Sequence, residues 1–277
     1  MQMKIKAIIW MFYKSLPRPI QETILSFLEF SRLITALPIF SLIFPFPCRN
    51  RIEDISKFDR RVFSQNGEDG IIEMLFRKIG TTNKYLVEFG AQDREYNGRF
   101  LVQIRGWCGL IMDCEKRKDS KIKKEKITAE NVNAIFKKYE VPENFDLLSI
   151  DIDSNDYWVW KALGNYHPRA VVIEYNADLG FSKSVTVKYD PDFSWDGSNY
   201  FGASLLALTK LAESQGYSLV GCDKSGSNAF FVLTDLYRAK FAPRPFPDLY
   251  KPPRYGKLAD GKFLGHPDGA GIFVTIE

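Results

Sequence analysis

From Phe58 onward, short apolar runs that each close on a polar or acidic residue alternate with segments of helical periodicity. That alternation restricts the chain to a mostly parallel sheet with covering helices, because strands buried on both faces read as continuous apolar runs. The runs are residues 85–89, 109–112, a stretch around 126–128, 145–150 and 170–173. Between them, Ile71, Ile72, Leu75, Phe76 and Ile79 share one face of a first helix that Gly80 and Thr81 end, and 130–139 and 157–163 read as two more. A later helix over 203–215, with Leu205, Leu206, Leu208 and Leu211 on its apolar side, precedes two closing strands, 217–222 and 229–233, around a turn at 223–228. The expected fold is α/β: seven strands, mostly parallel, with helices on both faces.

The 277 residues suffice for one such core plus additions at both ends. The spacing divides the chain into an N-terminal hydrophobic and basic arm (1–57), an α/β domain (58–237) and a Pro-rich C-terminal extension (238–277). Within the arm, residues 33–48 are uncharged but carry Pro38, Pro45 and Pro47, too short and broken for a spanning helix. Ile8, Ile9, Trp10, Met11 and Phe12 lie between Lys4 and Lys14. Such a helical arm suits peripheral contact with an anionic membrane through residues 1–50, or docking on the domain or a partner. No small-residue cleavage site follows an apolar segment, which argues against a secretory signal. Four cysteines without C-x-x-C spacing argue against a disulfide scaffold, so the expected location is cytoplasmic, with peripheral membrane association. A net charge of +4 from 38 basic and 34 acidic residues gives no reason to expect nucleic acid. Only two histidines are present, so a metal would need oxygen ligands, which points to magnesium, manganese or calcium.

In open α/β sheets, ligands bind outside the carboxyl ends of the strands. Gly90 in the loop after the first strand would let backbone approach a cofactor, and Glu88 or Asp93 would attract positive charge on it. Asp113, ending the second strand, suits hydrogen bonds from ribose hydroxyls. Alternatively, Gly90 makes a tight turn and Asp113 caps a helix. Asp151, Asp153 and Asp156 follow the fourth strand, and Glu174 and Asn176 follow the fifth, giving an oxygen-rich site for Mg2+ or Mn2+. Asp151 is expected to hold the metal with Glu174, Asn176 or both. Asp153 would be a second ligand or a proton acceptor. The competing view makes Asp153 or Asp156 a helix cap and Glu174 a polar strand terminus. Trp195, Tyr200 and Phe201 are candidates for an aromatic wall. His167, before the fifth strand, falls at the wrong end of the sheet for a catalytic base.

Read in order, Phe63-Ser64-Gln65-Asn66-Gly67-Glu68-Asp69, Val87-Glu88-Phe89-Gly90-Ala91, residues 106–113, Thr128-Ala129-Glu130-Asn131-Val132 and Leu147-Leu148-Ser149-Ile150-Asp151-Ile152-Asp153 resemble the FkbM-like methyltransferases. The resemblance runs from Phe63 to Leu233 and takes in Val172-Ile173-Glu174-Tyr175-Asn176 and Phe201-Gly202-Ala203-Ser204. It implies a class I methyltransferase (Rossmann-like) fold and methyl transfer from S-adenosylmethionine to an oxygen of a small-molecule or glycan acceptor, a sugar or natural product. It carries cofactor binding onto Gln65, Glu88, Gly90, Asp93, Asp113 and Glu130, while the catalytic candidates, Asp151 and Asp153, come from the strand-end acid cluster. The acids on neighbouring strand ends also resemble those that hold magnesium in catechol-type O-methyltransferases. Arg94 and Ser154 stand where such sequences usually have glycine. Two other readings follow: a methyltransferase-fold binding protein with impaired catalysis, and a glycosyltransferase using Asp151-Ile152-Asp153 as its D-x-D.

Overall fold

A computed structural model describes residues 51–256 and 265–277, together with Ile20. The hydrophobic arm expected in residues 1–50 otherwise lies outside them. Among the described residues, no helix is long and apolar enough to cross a membrane.

The chain is an α/β protein of Rossmann-like architecture. Strands β1 (Tyr85–Phe89), β2 (Cys108–Asp113), β3 (Ile122–Lys124), β4 (Asn144–Ile150), β5 (His167–Glu174), β7 (Tyr217–Cys222) and β8 (Asn228–Leu233) form one sheet in the order β3-β2-β1-β4-β5-β8-β7. The first five are parallel, and β8 runs antiparallel to both β5 and β7. A separate antiparallel pair joins β6 (Val185–Val187) to β9 (Phe273–Thr275).

Helix α1 (Glu68–Ile79) precedes β1, and α2 (Arg99–Arg105), α3 (Val132–Lys138), α4 (Asp156–Ala162) and α5 (Leu205–Ser214) connect the strands. Helices α6 (Thr234–Lys240) and α7 (Phe246–Leu249) follow β8. The third strand sits at 122–124 rather than around 126–128, because Ile122 is the buried apolar residue there and Ile127 packs only from the side.

The central strands are buried along nearly their whole length, as in β4, where Phe145, Leu147, Leu148 and Ile150 are fully covered. Phe136 of α3 fills the space between Phe89, Phe145 and Tyr166, with ring centroids 5.9, 6.3 and 4.7 Å away. Burying one such side chain contributes roughly 1.5–3 kcal/mol. Residues 51–57 join this domain as well. Ile55 is buried, and the Ile52 N–H donates to the Lys240 carbonyl at 3.1 Å while its carbonyl accepts from Ala242 at 2.8 Å.

Candidate functional site

The strand order reverses between β1 and β4, whose following connections run to opposite sides of the sheet and leave a crevice at their carboxyl ends. A cavity of about 570 Å³ opens there, a volume suited to a small-molecule ligand. Gly90, Asp113, Asp151 and Glu174, each at or just beyond a strand end, line it.

The Phe63–Asp69 motif shapes one rim. Asp69 Oδ2 accepts the N–H groups of Val62, Phe63 and Ser64, each at 2.8 Å, and the Ser64 hydroxyl at 2.7 Å. That knot holds the turn so that Gln65 and Asn66 reach the cavity wall. Glu68 looks inward. Its Oε2 accepts the Asn66 N–H at 2.8 Å, and its Oε1 accepts from the Asn228 side-chain amide at 2.9 Å.

Gly90 has φ +79, a conformation that L side chains rarely adopt, and a Cβ there would lie 1.5 Å from the Asp151 carbonyl oxygen. The close approach expected of its backbone is therefore made to the β4 loop. Glu88 lies beneath the main cavity wall, 2% exposed, and its carboxylate accepts the N–H groups of Asn97 and Gly98 at 2.6 and 2.7 Å. Burial pushes its pKa up to about 8 against the opposing pull of those N–H bonds. Asp93 also ties loops together, accepting the Lys118 and Asp119 N–H groups at 2.6 and 3.0 Å. Asp113 does face the cavity. It accepts the Glu115 N–H at 2.6 Å and pairs with Arg117 at 3.0 Å. Glu130 is exposed and away from the cavity wall, bonded to the Tyr189 hydroxyl.

The acids divide into two kinds. The β4–β5 register pairs Ile150 with Ile173, so Asp151 and Glu174 leave the sheet side by side. With Asp153, they place carboxylate oxygens within 4.8 Å of one another. Glu174 Oε2 is buried and has no hydrogen-bond partner. Desolvation raises the Asp151 carboxyl well above the usual range, and the Asp153 and Asp156 carboxylates raise it further. Desolvation likewise raises Glu174, with Asp151 the next cause. Three convergent carboxylates with an unmet buried oxygen fit a hard divalent cation.

Asp156 instead caps its own loop, accepting the Ile152 and Ser154 N–H groups at 2.9 and 3.0 Å. Asn176 is turned away from the acids. Its amide donates to the Asn199 and Phe201 carbonyls at 2.8 and 2.9 Å, and its Oδ1 accepts the Asp178 N–H at 3.1 Å. The Asn176 side chain thus caps a short helical turn.

No protein-family model matches the chain, and no curated protein does.

Of the three expected wall aromatics, Trp195 and Phe201 line the cavity, whereas Tyr200 packs against Phe193 and Phe273 at 5.7 and 5.1 Å between centroids. The C-terminal extension supplies what the sequence pattern missed: Arg254, Tyr255 and His266 also line the cavity. Tyr175 and Tyr250 tie the approach to this segment, bonding the Lys251 and Ala177 carbonyls at 2.6 and 2.8 Å. Residues 250–256 and 265–268 contain no strand or helix, so no periodicity marked them. His167 begins β5, at the sheet end opposite the acids, as expected.

Proposed function

We propose that the chain is an S-adenosylmethionine-dependent O-methyltransferase of class I fold, acting on a sugar or natural-product hydroxyl. The observation that carries this reading is the position of Glu88. In dinucleotide-binding sheets, the helix after the first strand presents free N–H groups to a pyrophosphate. Here the Glu88 carboxylate accepts the N–H groups of Asn97 and Gly98 immediately before α2. A phosphate would find those donors taken by an internal acid. The cavity is lined by six acids, Asp113, Glu115, Glu125, Asp151, Asp153 and Glu174, against three basic residues, Arg117, Lys126 and Arg254. Arg117 pairs with Asp113 and Glu115, and Lys126 with Asp192. Such a lining favours a ligand with positive charge, as on the sulfonium and ammonium groups of S-adenosylmethionine.

The strand order supports the same reading. Relative to the 3-2-1-4-5-6 order of dinucleotide folds, antiparallel β8 is inserted between β5 and the last parallel strand, β7. Asp113 would accept hydrogen bonds from the ribose, and Gln65 and Gly90 would border the cofactor. Glu88, Asp93 and Glu130 would contribute by fixing the surrounding loops.

Asp151, Asp153 and Glu174 would hold Mg2+ or Mn2+. Such an ion, when bound, acidifies a hydroxyl and fixes its oxygen. Trp195 and Phe201 would cover the acceptor and limit water entry. Residues 1–50 would provide the peripheral membrane contact through their basic and apolar side chains.

Calorimetry with S-adenosylmethionine and with UDP-glucose tests the assignment, followed by transfer of labelled methyl groups to a panel of methyl glycosides. The expected result is binding of the first ligand only. Binding of UDP-glucose alone would favour glycosyl transfer through Asp151 and Asp153. Binding of neither would favour a scaffold.

A further inference from the structure

His266 is partly buried in the cavity wall, fixed by one backbone hydrogen bond and three aromatic neighbours. Its backbone N–H donates to Asp178 Oδ2 at 3.0 Å. Gly265 before it has φ +76, and a Cβ there would lie 1.6 Å from Asp178 Oδ1, so the approach is fixed by backbone geometry. Tyr255, Trp195 and Phe201 surround the imidazole, with ring centroids 4.6, 4.8 and 5.5 Å away. Among the described residues, no hydrogen bond engages its ring nitrogens. The ring is also felt electrostatically at Asp153, whose carboxyl it draws down while desolvation, the larger effect, raises it.

A methyl acceptor must lose a proton when its oxygen is alkylated. Carboxylates that hold a cation are poorly placed to take it as well. Burial drives the Tyr255 hydroxyl far above its ordinary pKa, and Asp113, ion-paired with Arg117, is the carboxylate assigned to the ribose. An imidazole whose ring nitrogens meet no hydrogen-bond partner among the described residues is able to take up a proton from a hydroxyl in reach.

We infer that His266 is the catalytic base of the site, taking the acceptor hydroxyl proton onto a ring nitrogen while Tyr255, Trp195 and Phe201 hold the ring in place. The inference rests on the methyl-transfer reading. In the balanced step, the acceptor O–H bond breaks with its proton passing to His266, and the oxygen forms a bond to the methyl carbon. The carbon–sulfur bond breaks with its electron pair moving to sulfur, leaving a methyl ether and the neutral thioether. The imidazolium then returns its proton to solvent.

The test uses the full chain labelled with carbon-13 in its two histidine rings. His167, at the opposite end of the sheet, is the internal control. Added Mn2+ is expected to broaden the His266 resonance and leave His167 sharp. In His266→Ala, S-adenosylmethionine affinity should stay near the parent value. Methyl transfer to the best methyl glycoside should fall about 10²–10⁴-fold, with partial recovery in millimolar imidazole. An unbroadened His266 overturns the proposal, as does a variant with near-normal transfer or a loss that imidazole does not restore. If the parent protein does not bind S-adenosylmethionine, the methyl-transfer reading fails by itself, while Mn2+ broadening still reports whether His266 faces the acids.

Discussion

Gly90 and Asp151 meet backbone to backbone at the point where the strand order reverses, so closely that a Cβ on residue 90 would overlap the Asp151 carbonyl oxygen at 1.5 Å. The first and fourth strand loops are thereby locked together, and the lock sets the position of one carboxylate of the acidic cluster.

Gly90→Ala should therefore destabilise the fold by about 3 kcal/mol, combining left-handed backbone strain with the steric overlap. It should also move Asp151 and weaken Mn2+ binding. Urea denaturation and Mn2+ titration followed by electron paramagnetic resonance check both effects. An alanine variant with parental stability and parental Mn2+ affinity would show that the two loops are not coupled.

Asp113→Ala should reduce S-adenosylmethionine affinity by about 10–100-fold, the loss expected for a charge-assisted hydrogen bond. The strand itself should survive, since Met112 and Ile111 supply its apolar burial. Calorimetry paired with circular dichroism separates affinity from folding. An unchanged dissociation constant would remove Asp113 from the cofactor site.

Glu88 predicts a pH dependence of stability. Burial raises its pKa from 4.5 to about 8, so between those values the folded protein retains a proton that the unfolded chain has lost. This contribution is fully present below pH 4.5 and disappears as pH rises through about 8. Melting temperature should fall over that interval, and Glu88→Gln should flatten the slope. The comparison of scans at mildly acidic and mildly alkaline pH tests this directly, and an identical slope in the variant would assign it to other acids.

Ser154→Gly addresses the reading of impaired catalysis. Ser154 is not among the described non-glycine residues with positive φ; Asp153, at φ +54, takes the left-handed conformation instead. The serine N–H and carbonyl engage Asp156 Oδ2 and the Gly202 N–H, at 3.0 and 3.2 Å. Restoring glycine should thus leave S-adenosylmethionine affinity unchanged and cost about 0.5–1 kcal/mol in backbone entropy. A large gain in affinity or transfer would mean that the serine impairs the site.

Much of this arrangement could be read from the chain because parallel strands leave a strong local imprint. Runs such as 109–112 and 145–150 fall within a residue of their observed limits. The alignment of Asp151 with Glu174 also follows from neighbouring strands of similar length. Side-chain commitments were harder to foresee. Glu88 and Asn176 occupy sensible sequence positions, yet their polar groups are consumed by loop backbone that carries no pattern of its own. Ile122 was hidden in a lysine-rich stretch, since a three-residue edge strand presents just one buried side chain. His266 and Tyr255 reach the site from irregular backbone, and their burial depends on contacts far away in sequence.

The internal occupancy of the α2 start by Glu88 has a consequence for how this protein could change. In many α/β scaffolds, a new nucleotide specificity can be sought by altering the ligand-facing loop alone. Here such a search would first have to remove a carboxylate lodged beneath that loop, and its removal would leave the Asn97 and Gly98 amides without acceptors until a phosphate arrived. The intermediate would be poorly folded without ligand and unable to use the old one. Selection for phosphate-bearing ligands would therefore meet a stability barrier at this position, and laboratory evolution toward them should accumulate compensating substitutions elsewhere before Glu88 is lost.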